Sequence, residues 1–200
     1  SLSIGFLAVL FSSGIGMLLG AMAGYFGGVV DDIIMRLIDV IQSIPHILLA
    51  ISISVVLGPG FFNTLLALGF GMITMACRLT RASVLGVRNE EYLEAATSIN
   101  AGTGRIIFRH VLPNSFSPLL VSASMSIGNV IMAAAMLSFI GLGVQPPLPE
   151  WGSMIAGGRT LIRSCPWMVT FPGIFIMLAV LSLNMFGDGL RDALDPKLKK

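Results

Sequence analysis

From Leu2 to Tyr25 the chain carries no charged residue. About 20 consecutive apolar residues let an α-helix cross the hydrocarbon core of a bilayer, and a helix satisfies its own backbone N–H and C=O groups there. The run therefore reads as a membrane-spanning helix. The other residues agree. Of the 200 residues, 55% are hydrophobic and 11% are charged, where a soluble domain has about 25% charged. The mean hydropathy is +0.91. A single-domain length with this composition reads as an all-α, polytopic membrane bundle, and residues 1–200 as one domain. The formal charge of +2 is too small to suggest a nucleic-acid partner.

Four further segments are apolar enough to span. The second is composite. Ile33, Ile34, Leu37, Ile38 and Ile41 form one stripe of a helix, and Asp32, Arg36, Asp39 and Ser43 form the other. Pro45 interrupts it, and His46–Leu57 is uniformly apolar. Such a stretch rises only about 20 Å against a core of about 30 Å. Part of the amphipathic helix is thus expected inside the membrane, its polar face against protein. The remaining spans are expected near 63–87, 115–140 and 166–190. Residues 57–62 (LGPGFF) make a tight turn and 141–152 a Pro/Gly-rich loop. A short helix is expected from Trp151 to about Arg163.

With five alternating spans, all of the 12 Lys and Arg residues except Arg159 and Arg163 fall on one side. The positive-inside rule makes that side cytoplasmic, with residues 88–114 and the C-terminus. The first residue of the chain then lies outside. It is a serine, with no charged segment or cleavage site before the apolar run. A signal peptide is not indicated, and at least one preceding helix is expected.

Ser12, Gly16, Gly20, Gly24 and Gly28 recur every four residues and should form a flat packing strip. Cys77 and Cys165 share no ligand spacing, so neither a metal site nor a disulfide is expected. His46, after Pro45, reads as packed or interfacial. Ser122, Ser126, Asn129 and Ala133 make a small, mildly polar stripe in the fourth span. That stripe could line a wet path or hydrogen-bond neighbouring helices. Asp188 and Asp192 flank Arg191 and are expected to pair locally. Trp151 and Trp167 are candidate interface anchors. The sequence contains no G-x-x-x-x-G-K-[ST] phosphate cradle, no H-E-x-x-H and no Ser/His/Asp grouping, so no catalytic residue is assigned.

The most polar interruption is EYLEAATSINAGTGRIIFRHVLPN, from Glu91 to Asn114. Residues 90–99 read as a short amphipathic helix with Ala95 and Ala96 keeping one face thin. Asn100, Gly102 and Gly104 offer a chain stop and positive-φ conformations. Residues 105–112 form a second short basic and apolar element, and Pro113 opens the fourth span, where a missing N–H costs little. Together these make a rigid helix–turn–helix bracket tied to spans at both ends.

Glu94-Ala95-Ala96, Gly102, Ile106/Ile107 and Leu112-Pro113 resemble the cytoplasmic EAA loop of permease subunits of binding-protein-dependent ABC importers. The resemblance extends over essentially the whole chain. AGYFGG (23–28), DDIIMRLIDV (31–40), VLGPG (56–60), SFIGLGVQPPLPEWGSMI (138–155) and GDGLRDALDP (187–196) are similar to the dipeptide/oligopeptide/nickel branch. The resemblance implies the type I importer transmembrane fold and a bacterial inner-membrane location. It makes residues 88–114 a coupling loop that docks on a cytoplasmic ATPase, with contacts from Glu94, Ala95 and Ala96 and the turn at Gly102. Arg105, Leu112 and Pro113 belong to the same motif. It implies as partners a second permease subunit, two ATPase subunits that hold ATP and Mg, and an extracytoplasmic solute-binding protein docking near 144–163. No cofactor is expected in this chain.

The cargo implied is di- or oligopeptide, with a nickel complex as alternative. An ion-coupled carrier or channel is the rival class, but it predicts buried charges mid-span, and the third to fifth spans have none there. An intramembrane enzyme lacks a catalytic constellation.

Overall fold

The computed structural model describes residues 1–88, 90–91 and 101–194. The helices are α1 (Leu2–Phe26), α2 (Gly28–Gln42), α3 (His46–Leu57), α4 (Phe61–Val87), α5 (Thr103–Phe139), α6 (Trp151–Gly158) and α7 (Trp167–Leu194). A 3-10 turn at Arg159–Leu161 extends α6, so the helix expected to reach Arg163 stops short of it. No strand occurs among the described residues.

Small residues decide how the helices meet. A Cβ on Gly16 would lie 2.5 Å from the Ala76 Cβ, on Gly20 2.3 Å from the Cys77 carbonyl oxygen, and on Gly24 2.9 Å from the Val84 Cβ. Any side chain there would force α1 and α4 apart. Gly69 of α4 returns the contact near Phe11 and Ala8. Partner positions rise together along both helices, so α1 and α4 run parallel. Gly28 does not join this strip. It has φ +50, and among the described residues nothing lies within 4 Å of where its Cβ would be. With Gly27 at φ +65 it turns the chain from α1 into α2.

Parallel α1 and α4 require the intervening segment to bring the chain back. The α2–α3 pair, bent by 82°, does so. Asp31 of α2 meets Arg81, Ile38 packs on Ile73 and Cys77, and His46 sits at Gly71. α2 thus slants down α4, and α3 completes the return to Phe61. The pair is a broken span rather than a re-entrant loop. α2 packs on α4 through Ile34, Met35 and Ile38, and two ion pairs flank that contact. The expected polar stripe of Asp32, Arg36, Asp39 and Ser43 is exposed rather than buried against protein, with only Asp39 of it reaching α4. Asp31 accepts from Arg81 Nε at 2.6 Å and Nη2 at 2.5 Å, and Asp39 pairs with Arg78. At the turn into α4, Asn63 Nδ2 donates to the Leu57 and Gly58 carbonyls at 2.7 and 3.1 Å, satisfying orphan acceptors of α3.

α5 runs antiparallel to α1, with Gly5 facing Ile131 and Ile127. α7 runs antiparallel to α5, with Gly128 against Val180 and Gly187 against Met125. Five alternating crossings result. The main core lies where α1, α4 and α5 meet, around Ala8, Leu68, Ile131 and Leu137, all 0% exposed. α7 packs mainly on α5 and α6 and leaves Phe171, Phe175 and Met185 more than half exposed. Such an apolar face needs lipid or protein against it.

One end of the bundle gathers Arg78, Arg81, Arg88, Arg105, Arg109 and Arg191 near helix termini, and is called the basic end below. At the opposite end, Glu150 is 1% exposed. Its Oε2 accepts from Ser153 N at 2.9 Å to cap α6, and its Oε1 accepts from Ser1 Oγ at 2.6 Å. Trp151 stacks on Phe175 with ring centroids 6.2 Å apart, so it is a packing residue, whereas Trp167 is 55% exposed. Against expectation, the described residues Asp188, Arg191 and Asp192 form no ion pair with one another. Arg191 lines a cleft instead.

Candidate functional site

Two features stand out at and above the basic end: a clasp that joins three helices, and a cleft that leads into the membrane.

In the clasp, Ile106, Ile107, Val111 and Leu112 are buried against Ala21 of α1 and Val84 of α4, with Met17, Tyr25 and Val87 around them. Residues 105–112 are therefore not a separate element. They are the first turns of α5, which continues unbroken to Phe139. The reason lies at Pro113. A proline removes an N–H and its ring crowds the carbonyl four residues earlier, which normally breaks a helix. Here Ile107–Val111 forms a wider π turn, with Leu112 N–H donating to the Ile107 carbonyl five residues back. The wider turn relieves the crowding, and Asn114 Nδ2 donates to the His110 carbonyl at 2.7 Å. Pro113 sits inside a continuous helix instead of opening a new one.

Arg105 and Arg109 are exposed beside Phe108, which is 63% exposed. Gly102 precedes them with φ −61 and ψ 143, an ordinary extended conformation, and among the described residues nothing lies within 4 Å of where its Cβ would be. The positive-φ role expected of Gly102 is absent. Among the described residues nothing packs closely enough on Gly102 to call for glycine. Glu94, Ala95 and Ala96 lie outside the described residues.

The cleft opens beside α2, α4, α5 and α7, with a volume of about 1240 Å³. Ser122, Ser126 and Asn129 all line it. Ser126 is buried and its Oγ donates to the Ser122 carbonyl of its own helix at 2.7 Å. It spends its hydrogen bond locally, not on a neighbouring helix. Asn129 is exposed. A smaller chamber of about 320 Å³ adjoins at the α2–α3 elbow, where Ala133 joins the lining. The two spaces share Gln42, Met72, Met75 and Asn129. At the basic end the cleft is bordered by Arg78 and Arg191.

Sequence reasoning found the α5 stripe because period 3.6 exposes it. It missed Gln42, Met72, Met75 and Met125. Those belong to faces whose partner is known only once α2 is seen to slant across α4. His46 is seated on Gly71 and its Nε2 lies 3.2 Å from the Leu68 carbonyl. A carbonyl only accepts, so Nε2 carries the proton. No cluster of three or more His, Cys, Asp or Glu suited to a metal occurs among the described residues. Cys77 and Cys165 are both free.

Residues 16–200 match the family model described as "Binding-protein-dependent transport system inner membrane component". The chain is 48% identical over 199 residues to a dipeptide transport system permease protein of Alkalihalophilus pseudofirmus. It is 47% identical over 199 residues to a di/tripeptide transport system permease protein of Pseudomonas aeruginosa. A glutathione transport system permease protein of Pectobacterium atrosepticum is 46% identical over 199 residues. In each case the match covers 100% of this chain and 66% of the relative, so the chain spans just under two thirds of their length. In fold it is similar to the inward-facing MetNI methionine ABC transporter, with TM-score 0.74 at 17% identity over 97% of this chain and 92% of the other. An amino acid ABC transporter solved with histidines aligns at TM-score 0.67 and 18% identity, covering 98% and 90%.

Proposed function

Because this chain belongs to the binding-protein-dependent transport system inner membrane component family, we propose that it is a permease subunit of an ATP-driven peptide importer, multi-pass in the bacterial inner membrane. In this reading the basic end faces the cytoplasm. Residues 88–114 are the coupling loop, through which two partner ATPase subunits, holding ATP and Mg, act on the helices. A second permease subunit closes the open side of the cleft, and an extracytoplasmic binding protein delivers cargo at the α6 end. Ser122, Ser126 and Asn129 form part of the path.

One observation carries the proposal: α5 is a single helix from Thr103 to Phe139. The surface at Arg105 and Phe108 and the polar stripe at Ser122–Asn129 therefore lie along one continuous helix, with the π turn and Pro118 between them. A push on the first is carried along it to the second. The clasp on Ala21 and Val84 extends the same push to α1 and α4. Coupling of this kind requires the ATPase to bind the two arrangements of the bundle with different affinity. The peptide cargo is supported by the dipeptide, di/tripeptide and glutathione relatives.

The test is reconstitution of the full-length protein with its operon partners in proteoliposomes. ATP-dependent uptake of labelled dipeptide is expected, with nickel uptake at background. Gly102→Trp and Glu94→Lys are expected to abolish co-purification of the ATPase and uptake together. Solute movement by the permease alone down an ion gradient would refute the reading, and nickel uptake without peptide uptake would move it to the other cargo.

A further inference from the structure

We propose that the elbow between α2 and α3 is a peptide-backbone subsite, in which the side-chain amides of Gln42 and Asn129 take the amide groups of a passing peptide. The inference deepens the peptide reading above and rests on it.

The elbow sits well inside the membrane. His46 is level with Gly71, ten residues into α4 from Phe61, or about 15 Å at the rise of a helix. Broken backbone at such a depth is tolerated only when buried in protein or lining a wet cavity. Ile44, Pro45 and His46 line the chamber of about 320 Å³, so the break borders an open space rather than packed helix, where water or a polar guest can meet its backbone. That volume lies at the lower end of the roughly 300–1,000 Å³ typical of small-ligand pockets.

The polar groups around the chamber and the adjoining cleft differ in what they leave free. Thr74 Oγ1 donates to the Gly71 carbonyl, Ser126 Oγ to the Ser122 carbonyl, and His46 Nε2 to the Leu68 carbonyl. These are spent within the protein. Gln42 and Asn129 are exposed, face both spaces, and hold no side-chain hydrogen bond among the described residues. Each offers a donor and an acceptor, the pair that a peptide unit itself presents. No charged side chain lines the chamber among the described residues. The walls shared with the larger cleft are Met72 and Met75, joined there by Met125. Methionine adapts its shape to varied apolar surfaces. Amides that read only the backbone, between walls that accommodate different side chains, suit cargo of one backbone chemistry and many sequences. Further along, Arg78 and Arg191 border the cleft toward the basic end.

The complete importer in proteoliposomes tests this, with Gln42→Leu, Asn129→Leu and the double variant. Both residues are exposed, and intact assembly is checked by ATP hydrolysis stimulated by the peptide-loaded binding protein. Expected is a fall of at least fivefold in dialanine uptake by the double variant, with ATP hydrolysis and the half-saturating binding-protein concentration unchanged. Asn129→Gln, which keeps the amide, should retain uptake. A diazirine-bearing dipeptide photolysed in the wild-type complex during turnover should label Met72, Met75 or Met125. Double-variant uptake equal to wild type, or photo-adducts confined to other residues, overturns the subsite while leaving the importer reading intact. A wild-type complex that takes up no peptide overturns both.

Discussion

Gly20 and Gly14 lie on one helix and make opposite predictions. In an exposed helix interior, Gly→Ala gains about 0.5–1 kcal/mol from reduced backbone freedom. Gly14 has nothing within 4 Å of its Cβ position, so Gly14→Ala should leave the midpoint of thermal unfolding in detergent unchanged or raise it. At Gly20 the added methyl would lie 2.3 Å from a backbone carbonyl that cannot swing aside. Gly20→Ala should destabilise by about 1–3 kcal/mol, the usual penalty of overpacking. The ion pairs divide similarly. Asp31 and Arg81 are 15% and 33% exposed and joined by two hydrogen bonds, whereas Asp39 and Arg78 are 58% and 47% exposed. A double-mutant cycle with alanine should give a larger coupling energy for Asp31/Arg81, with Asp39/Arg78 near the about 0–1 kcal/mol of exposed pairs. Equal couplings would contradict the burial argument.

At the scale of the element, α5 and α6 set different demands. If α5 transmits force, its stiffness between Leu112 and Ser122 matters as much as its surface. Phe116 and Ser117 are exposed, so Phe116→Gly with Ser117→Gly should cost about 0.5 kcal/mol each in helix stability without disturbing the core. ATPase co-purification should persist while peptide taken up per ATP hydrolysed falls severalfold. A variant that transports with wild-type stoichiometry would remove the lever. α6 depends on its buried cap. Glu150→Ala strips the carboxylate that accepts from Ser153 N, at a cost of about 1–2 kcal/mol. Limited proteolysis should then cut faster between residues 140 and 165.

For the whole molecule, alternating crossings put α6 and the clasp on opposite faces of the membrane. In a background with Cys77 and Cys165 replaced by serine, a cysteine at Thr160 should react with a membrane-impermeant maleimide in cells whose outer membrane is opened. A cysteine at Phe108 should react only after the inner membrane is breached. Labelling of both from the same side would break the topology. The apolar face of α7 also needs lipid or protein against it. α7 borders the open cleft through Arg191 and Leu194 and carries the exposed Phe171, Phe175 and Met185 along its length.

The sequence by itself determined the crossings, their alternation and the close approach of α1 to another helix. Apolar length, charge placement and a four-residue glycine period are local properties, each tied to bilayer thickness or helical pitch. Which helix fills the strip, and in which direction, depended on residues far along the chain, and only the packed bundle paired Gly20 with Cys77. The same holds for the fusion of 105–112 with the fourth span. Proline chemistry read locally favours a break at 113, and the burial of Ile107 and Val111 against α1 and α4 holds the π turn that avoids it. The elbow chamber is tertiary in the strictest sense. Gln42 and Asn129 come from helices that no periodicity connects, and they meet because α2 slants across α4 to join its aspartates to arginines.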